Sequence, residues 1–254
     1  MIPRDVNIGL VRNTIDIFKR IISSKIDYIA MLDGDDYWTD EYKLQKQYDI
    51  LKEHSDYGFV HTNVALLVND KIQIKLRKNV PTGDVFDVVD TFSIINCSTF
   101  FRTSLLQKIH FDDFISNKFM SLDYAMYAIF SKYTKFEFIE DSTAVWRRGH
   151  TSISSTNDMY KQIEYIDNDD KMWKYVDSLF PGRFRYNEEI NGYRDYRIFN
   201  IAFQYGNFEL ANKMSNEPSI LNYHNGIIFE IKKRAARTKI LFLFWCWTKK
   251  TFKK

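Results

Sequence analysis

Three aspartates crowd one turn of the stretch DYIAMLDGDDYWTDEYKLQKQ, residues 27–47: Asp33, Asp35 and Asp36. Like charges at that spacing repel and raise one another's pKa, so either something positive offsets them or they stand in open water. They follow an apolar run, IDYIAML, of a length that suits a short buried strand. In an α/β sheet, ligands bind beyond the carboxyl ends of the strands. Carboxylate oxygens there suit a hard divalent cation, and Mg²⁺ characteristically takes one or two of them and completes its shell with substrate phosphates. The chemistry implied is the holding of a metal–diphosphate. The bland alternative is a solvated acidic turn.

Two other carboxylate motifs fail on spacing. An EF-hand loop needs Gly at its sixth position and Glu at its twelfth. Counted from Asp33 those positions hold Trp38 and Leu44. A haloacid-dehalogenase phosphatase also sets Asp-x-Asp after a strand, but wants Thr or Val where this chain has Tyr37.

The surrounding pattern supplies elements to position such a turn. Val11, Ile15, Phe18 and Ile22 recur at helical spacing. Thr39 is placed to cap a helix with Asp40 and Glu41 in its first turn, lined by Leu44, Tyr48 and Leu51, and ending near residues 55–58. GFVHTNVALL then predicts a strand, with a hairpin around Asn69 and Asp70. IINCSTFFR, residues 94–102, predicts another strand, and SLDYAMYAIFSKY, residues 121–133, a helix with Asp123 in its first turn. KFEFIE and TAVWRR predict further strands, and TSISSTND a polar loop. From about Asp158 onward the pattern is helical. Alternating helices and strands argue for an α/β sheet. His61, inside a predicted strand, reads as a core histidine.

The chain has 254 residues and an aromatic content of 17%, high enough to expect a core rich in Tyr and Phe. Two distant cysteines, Cys97 and Cys246, form no disulfide framework and no zinc pattern, and suit a reducing compartment. No signal peptide and no membrane-spanning run is visible. The net charge is +3, yet residues 225–254 alone carry nine Lys or Arg and one acid, Glu230, a net of +8. A mildly acidic body thus carries a basic tail, with the apolar run ILFLFWCW inside it, as expected of a segment that lies on an anionic surface.

Taken in order, NIGLVRN, the acidic-turn stretch, DYGFVHTN, TGDVFDVVDTFSIINCSTFFRTSLL and SLDYAMYAIFSKYTKFEFIEDSTAVWRRGHTSIS resemble the family 2 glycosyltransferases of GT-A fold over about residues 5–156. By that resemblance the Asp-x-Asp turn binds a nucleotide-sugar through Mg²⁺ or Mn²⁺. Asp33 and Asp35 would face the donor, and Asp35 and Asp36 the metal. Asp123 matches the family's general base, although Leu122 stands where the family often has an acid. Arg147, Arg148 and His150, after Trp146, match its diphosphate stretch, with His150 a further metal or phosphate contact. The family's opening strands, which hold base and ribose, have no counterpart before Met1, so the resemblance implies a GT-A fold lacking its first strands.

The expectation is therefore an α/β glycosyltransferase domain over residues 1–157 and a helical C-terminal extension over residues 158–254. The implied reaction is metal-dependent, inverting transfer of a sugar from a nucleotide-sugar, of UDP type, to a saccharide or lipid-linked acceptor in cell-surface polysaccharide synthesis. The expected location is cytoplasmic, peripheral on the inner face of the membrane through the anionic lipid surface. No nucleic acid partner is expected, since base-stacking motifs are missing. The alternative is a truncated, non-catalytic remnant that binds the membrane surface.

Overall fold

The computed structural model describes residues 5–74, 94–148, 156–180, 188–221 and 226–251. The chain divides into two compact units, Met1–His150 and Thr151–Lys254.

The first unit opens with α1 (Leu10–Ile22), whose Val11, Ile15 and Phe18 turn inward as the helical spacing requires. Then come β1 (Tyr28–Ala30), β2 (Tyr37–Trp38), α2 (Lys43–Glu53), β3 (Tyr57–Val68), β4 (Lys71–Ile74), β5 (Phe100–Arg102), α3 (Phe111–Ser116), α4 (Asp123–Ser131) and β6 (Lys135–Arg148). The sheet runs β1-β5-β3-β6-β2, with β4 beside β3. β3 and β6 pair in parallel, and the other pairs are antiparallel. This mixed sheet agrees with the α/β expectation. β3 is buried without a break from Gly58 to Ala65, as a strand covered on both faces must be. Its hairpin to β4 turns at Asn69 and Asp70, both at positive φ (49° and 59°), the backbone of a type I′ turn. KFEFIE and TAVWRR form one continuous strand, β6.

The core between sheet and helices is aromatic, in line with the composition. Phe59 stacks on Phe136 with centroids 4.6 Å apart, and Phe101 meets Phe130 at 5.1 Å. His61 is fully buried against Phe136 and Phe138. Arg102 ties the sheet to α2: its Nε donates to the Tyr57 carbonyl at 2.9 Å, and its Nη2 reaches the Leu51 carbonyl in the last turn of α2.

Two local expectations are corrected. Thr39 does not cap α2. Its amide donates to the Thr143 carbonyl of β6 at 2.9 Å, which holds the chain extended, and the helix begins at Lys43. Its buried residues are Lys43, Gln47 and Leu51; of those expected, Tyr48 packs half-buried against the Leu51 cluster, but Leu44 is exposed. The Gln47 amide donates to the carbonyls of Val60 and Ser98, so polar groups replace an apolar stripe. Residues 94–102 are likewise not one strand. A 3-10 turn at Asn96–Ser98 interrupts them, and only Phe100–Arg102 pairs.

The second unit is helical: α5 (Met159–Leu179), α6 (Glu188–Tyr205), α7 (Phe208–Ser215), α8 (Pro218–Leu221), α9 (Gly226–Ala236) and α10 (Lys239–Thr251). Asp158 caps α5 by accepting from the amides of Tyr160 and Lys161, and Asn207 caps α7. Phe199, Phe203, Phe229 and Phe242 lie in its core.

Candidate functional site

The acidic turn lies just past β1, at the carboxyl end of the strand. It is closed by the Asp36 amide, which donates to the Asp33 carbonyl at 3.1 Å. Asp33 and Asp36 are half-buried and Asp35 is exposed. The turn is held from the 3-10 turn and from β6, and α2 braces Trp38 close behind it.

From the 3-10 turn, Asn96 Nδ2 donates to both carboxylate oxygens of Asp33, at 3.0 and 3.1 Å. Asn96 Oδ1 in turn accepts from the Tyr127 hydroxyl at 2.8 Å, and that hydroxyl lies 2.7 Å from Thr99 Oγ1. Tyr127 stands one turn after Asp123 on α4, so the two share a helix face. The carboxylate after β1 is thereby linked through Asn96 and Tyr127 to the helix that Asp123 opens. From β6, the Arg147 amide donates to Asp36 Oδ1 at 2.9 Å, and Arg147 Nε donates to the Asp35 carbonyl at 2.9 Å. From α2, the Lys43 ammonium lies 4.8 Å from the centre of the Trp38 ring and donates to Gln47 Oε1 at 2.6 Å, while Trp38 Nε1 donates to the Cys97 carbonyl at 3.0 Å.

The electrostatics follow from this packing. Burial pushes the Asp33 carboxyl up to about 6. The Asn96 bond opposes that rise, and the charges of Asp123, Asp36 and Asp35 add to it. Asp123 is raised above the usual carboxylate range by burial, with backbone N–H groups of its own residue and Leu122 opposing. The Cys97 thiol is raised by burial and by Asp36. Burial lowers the Lys43 ammonium to about 8.

Asp33, Asp35, Asp36, Asp123 and Arg147 are thus brought to one region. Arg148 turns its guanidinium onto the Trp146 ring, 4.6 Å from the centroid. His150 lies outside the described residues. Among the described residues no three His, Cys, Asp or Glu side chains form a group able to hold a metal by themselves. The donor set nevertheless fits a divalent cation that shares its shell with phosphate: the oxygens are hard, and the repulsion among the carboxylates, which adds to the effect of burial on Asp33, is what such an ion relieves. Asn96, Tyr127 and Lys43 were not picked out from sequence. The available signals were an asparagine inside an apolar run and a tyrosine four residues beyond Asp123.

No family model matches the chain. A stretch of 70 residues, 27% of this chain, is 43% identical to uncharacterized proteins of Mycobacterium bovis and Mycobacterium tuberculosis. The match spans only 19% of the length of those relatives. Among solved structures, the chain is similar to S. aureus TarS 1–349, with a TM-score of 0.43 and 12% identity over 94% of this chain and 69% of that one. It is similar to the same protein in complex with UDP-GlcNAc at a TM-score of 0.43 and 11% identity, over 92% and 69%.

Proposed function

We propose that the chain is a glycosyltransferase of the family 2 type, moving a sugar from a nucleotide-sugar, of UDP class, to a saccharide or lipid-linked acceptor with inversion. The observation that carries this reading is the linkage of Asp33 through Asn96 to Tyr127, on the helix that begins at Asp123. It supports the reading because it brings the carboxylates after β1 close to the helix that Asp123 opens.

In this reading Asp35 and Asp36 hold Mg²⁺ or Mn²⁺, which supplies charge neutralisation for the nucleoside diphosphate. Arg147 and Arg148 suit phosphate oxygens by charge and fork geometry. Asp123 accepts the proton of the acceptor hydroxyl as that oxygen bonds to the anomeric carbon. The bond from that carbon to the diphosphate oxygen breaks, and the nucleoside diphosphate departs with the electron pair. Burial, which raises the proton affinity of Asp123, makes it a better base at neutral pH.

The test is calorimetry with UDP and a panel of UDP-sugars, with Mn²⁺ and with chelator. Binding should need the metal and be lost in Asp36→Ala. Equal binding in chelator would sink the metal reading. Asp123→Asn should keep binding and lose transfer, and a variant that retained most of its turnover would remove Asp123 as the base.

A further inference from the structure

The last two helices present to solvent an apolar surface that the sugar chemistry does not use. On α10, Phe242 is fully buried, with its ring 4.6 Å from Phe203 and 5.6 Å from Phe208, and the Cys246 thiol donates to the Phe203 carbonyl at 3.5 Å. The opposite side carries Ile240, Phe244 and Trp247, which are 82%, 62% and 60% exposed and stand at i, i+4 and i+7 on one stripe. α9 repeats the arrangement. Phe229 faces inward against Tyr196 and Phe199, while Ile227, Ile228 and Ile231 face out. Within the run 240–247 Phe242 is core and Trp245 and Cys246 pack against it, so one side of the helix is left to solvent, as expected of a surface-lying segment, and α9 adds to that apolar surface.

Charge decides what covers these stripes. Arg234, Arg237 and Lys239 are exposed around the turn joining the two helices. The lone acid of the segment, Glu230, lies 2.8 Å from the Lys233 ammonium. A second copy of this face would bring net-positive surface against net-positive surface. Nucleic acid could stack on Phe244 and Trp247 but would leave the exposed aliphatic side chains Ile227, Ile228, Ile231 and Ile240 in water. A surface both apolar and cationic is complementary to an anionic phospholipid leaflet.

We propose that α9 and α10 dock in the plane of an anionic bilayer, with Ile227, Ile228, Ile240 and Phe244 in the acyl boundary, Trp247 at headgroup depth and Arg237 and Lys239 among the phosphates. Among the described residues no helix is long and apolar enough to cross a membrane. The 13 residues of α10 reach about 20 Å against a hydrocarbon core of about 30 Å. The proposal stands independently of sugar transfer.

Sedimentation of the full chain with vesicles tests it. The chain should pellet with phosphatidylcholine–phosphatidylglycerol vesicles at low salt, release at high salt and stay in solution with phosphatidylcholine alone. Ile240→Ser with Phe244→Ser, and separately Arg237→Glu with Lys239→Glu, should each lower the bound fraction roughly tenfold. Circular dichroism checks that they fold, and if the serine pair does not, the charge pair decides. Removing α10 is no substitute, because Phe242 is part of the core. Unchanged pelleting in a folded variant overturns the proposal. So does a wild-type dimer in sedimentation velocity that the serine pair dissociates, which would assign the face to a second copy.

Discussion

The backbone amide of Arg147 donates to Asp36 Oδ1 at 2.9 Å, joining residues 111 apart in sequence. The donor is main chain, so the anchor survives any substitution at 147 except proline. The guanidinium is a separate device, spanning to the Asp35 carbonyl. Arg147→Ala should therefore leave the melting temperature nearly unchanged while weakening UDP binding about tenfold, the scale of one charge-assisted contact. Arg147→Pro removes the N–H from a half-buried carboxylate and should cost about 1–3 kcal/mol in urea unfolding. If both variants behaved alike in the two assays, the separation of roles would be wrong.

Tyr127 and Asn96 make a second prediction. Tyr127→Phe deletes a buried hydroxyl bonded to Asn96 and beside Thr99, and should destabilise the fold by about 1–2 kcal/mol. Asn96→Ala frees the Asp33 carboxylate, so it should lower kcat/KM well beyond its effect on stability. Asn96→Gln, with the amide displaced by one methylene, should rescue little. Full activity in Asn96→Ala would show that Asp33 needs no support.

Gly58 tests the packing of the central strand. A Cβ there would sit 2.5 Å from Thr134 Cγ2 and 2.7 Å from its Oγ1. Thr134 Oγ1 is itself bonded to the Asp56 carbonyl at 2.9 Å and is not free to swing away. Gly58→Ala should cost about 1–3 kcal/mol, the range for overpacking. Adding Thr134→Ser, which removes Cγ2, should recover part of the loss, and a double-mutant cycle reads the coupling.

Lys43 gives a pH signature. Its ammonium, nearly sealed from solvent, is lowered from 10.5 to about 8 by burial. Between those values the unfolded chain binds the proton and the folded chain does not, so this group makes the fold more stable as pH rises from about 8 to 10.5. Taken as the difference between wild type and Lys43→Met, the gain should be at most roughly 3 kcal/mol over that window. Buried Tyr127 and Cys97, whose pKa values are raised, act in the opposite sense; the difference measurement cancels Tyr127, and Cys97, which is coupled to Lys43, is removed by making the comparison in a Cys97→Ala background. A flat difference across the window would mean that Lys43 is not buried as an ammonium.

Much of this molecule is legible in the chain because the signal is local. The i, i+4, i+7 spacing of Val11, Ile15 and Phe18 writes α1, and Asn69-Asp70 between alternating strands writes the hairpin. Asp123 opens α4, and the aspartates at 33, 35 and 36 crowd one turn whatever lies around them. What the chain could not declare is which distant groups arrive there. Asn96 lies in an apolar run that reads as strand, and only its meeting with Asp33 and Tyr127, from two other elements, gives it a task. Lys43 and Gln47 break the apolar stripe expected of α2, because the Gln47 amide meets the backbone carbonyls of Val60 and Ser98 while the Lys43 ammonium lies over the Trp38 ring and donates to Gln47. In the tail, hydrophobicity alone could not separate Phe242 from Ile240. Both are apolar, and the difference arises only once Phe203 and Phe208 of other helices fill one side of α10 and leave the other to solvent. Local propensity and periodicity act within a turn or two of chain; burial and hydrogen-bond partners are set by surfaces that meet only on folding.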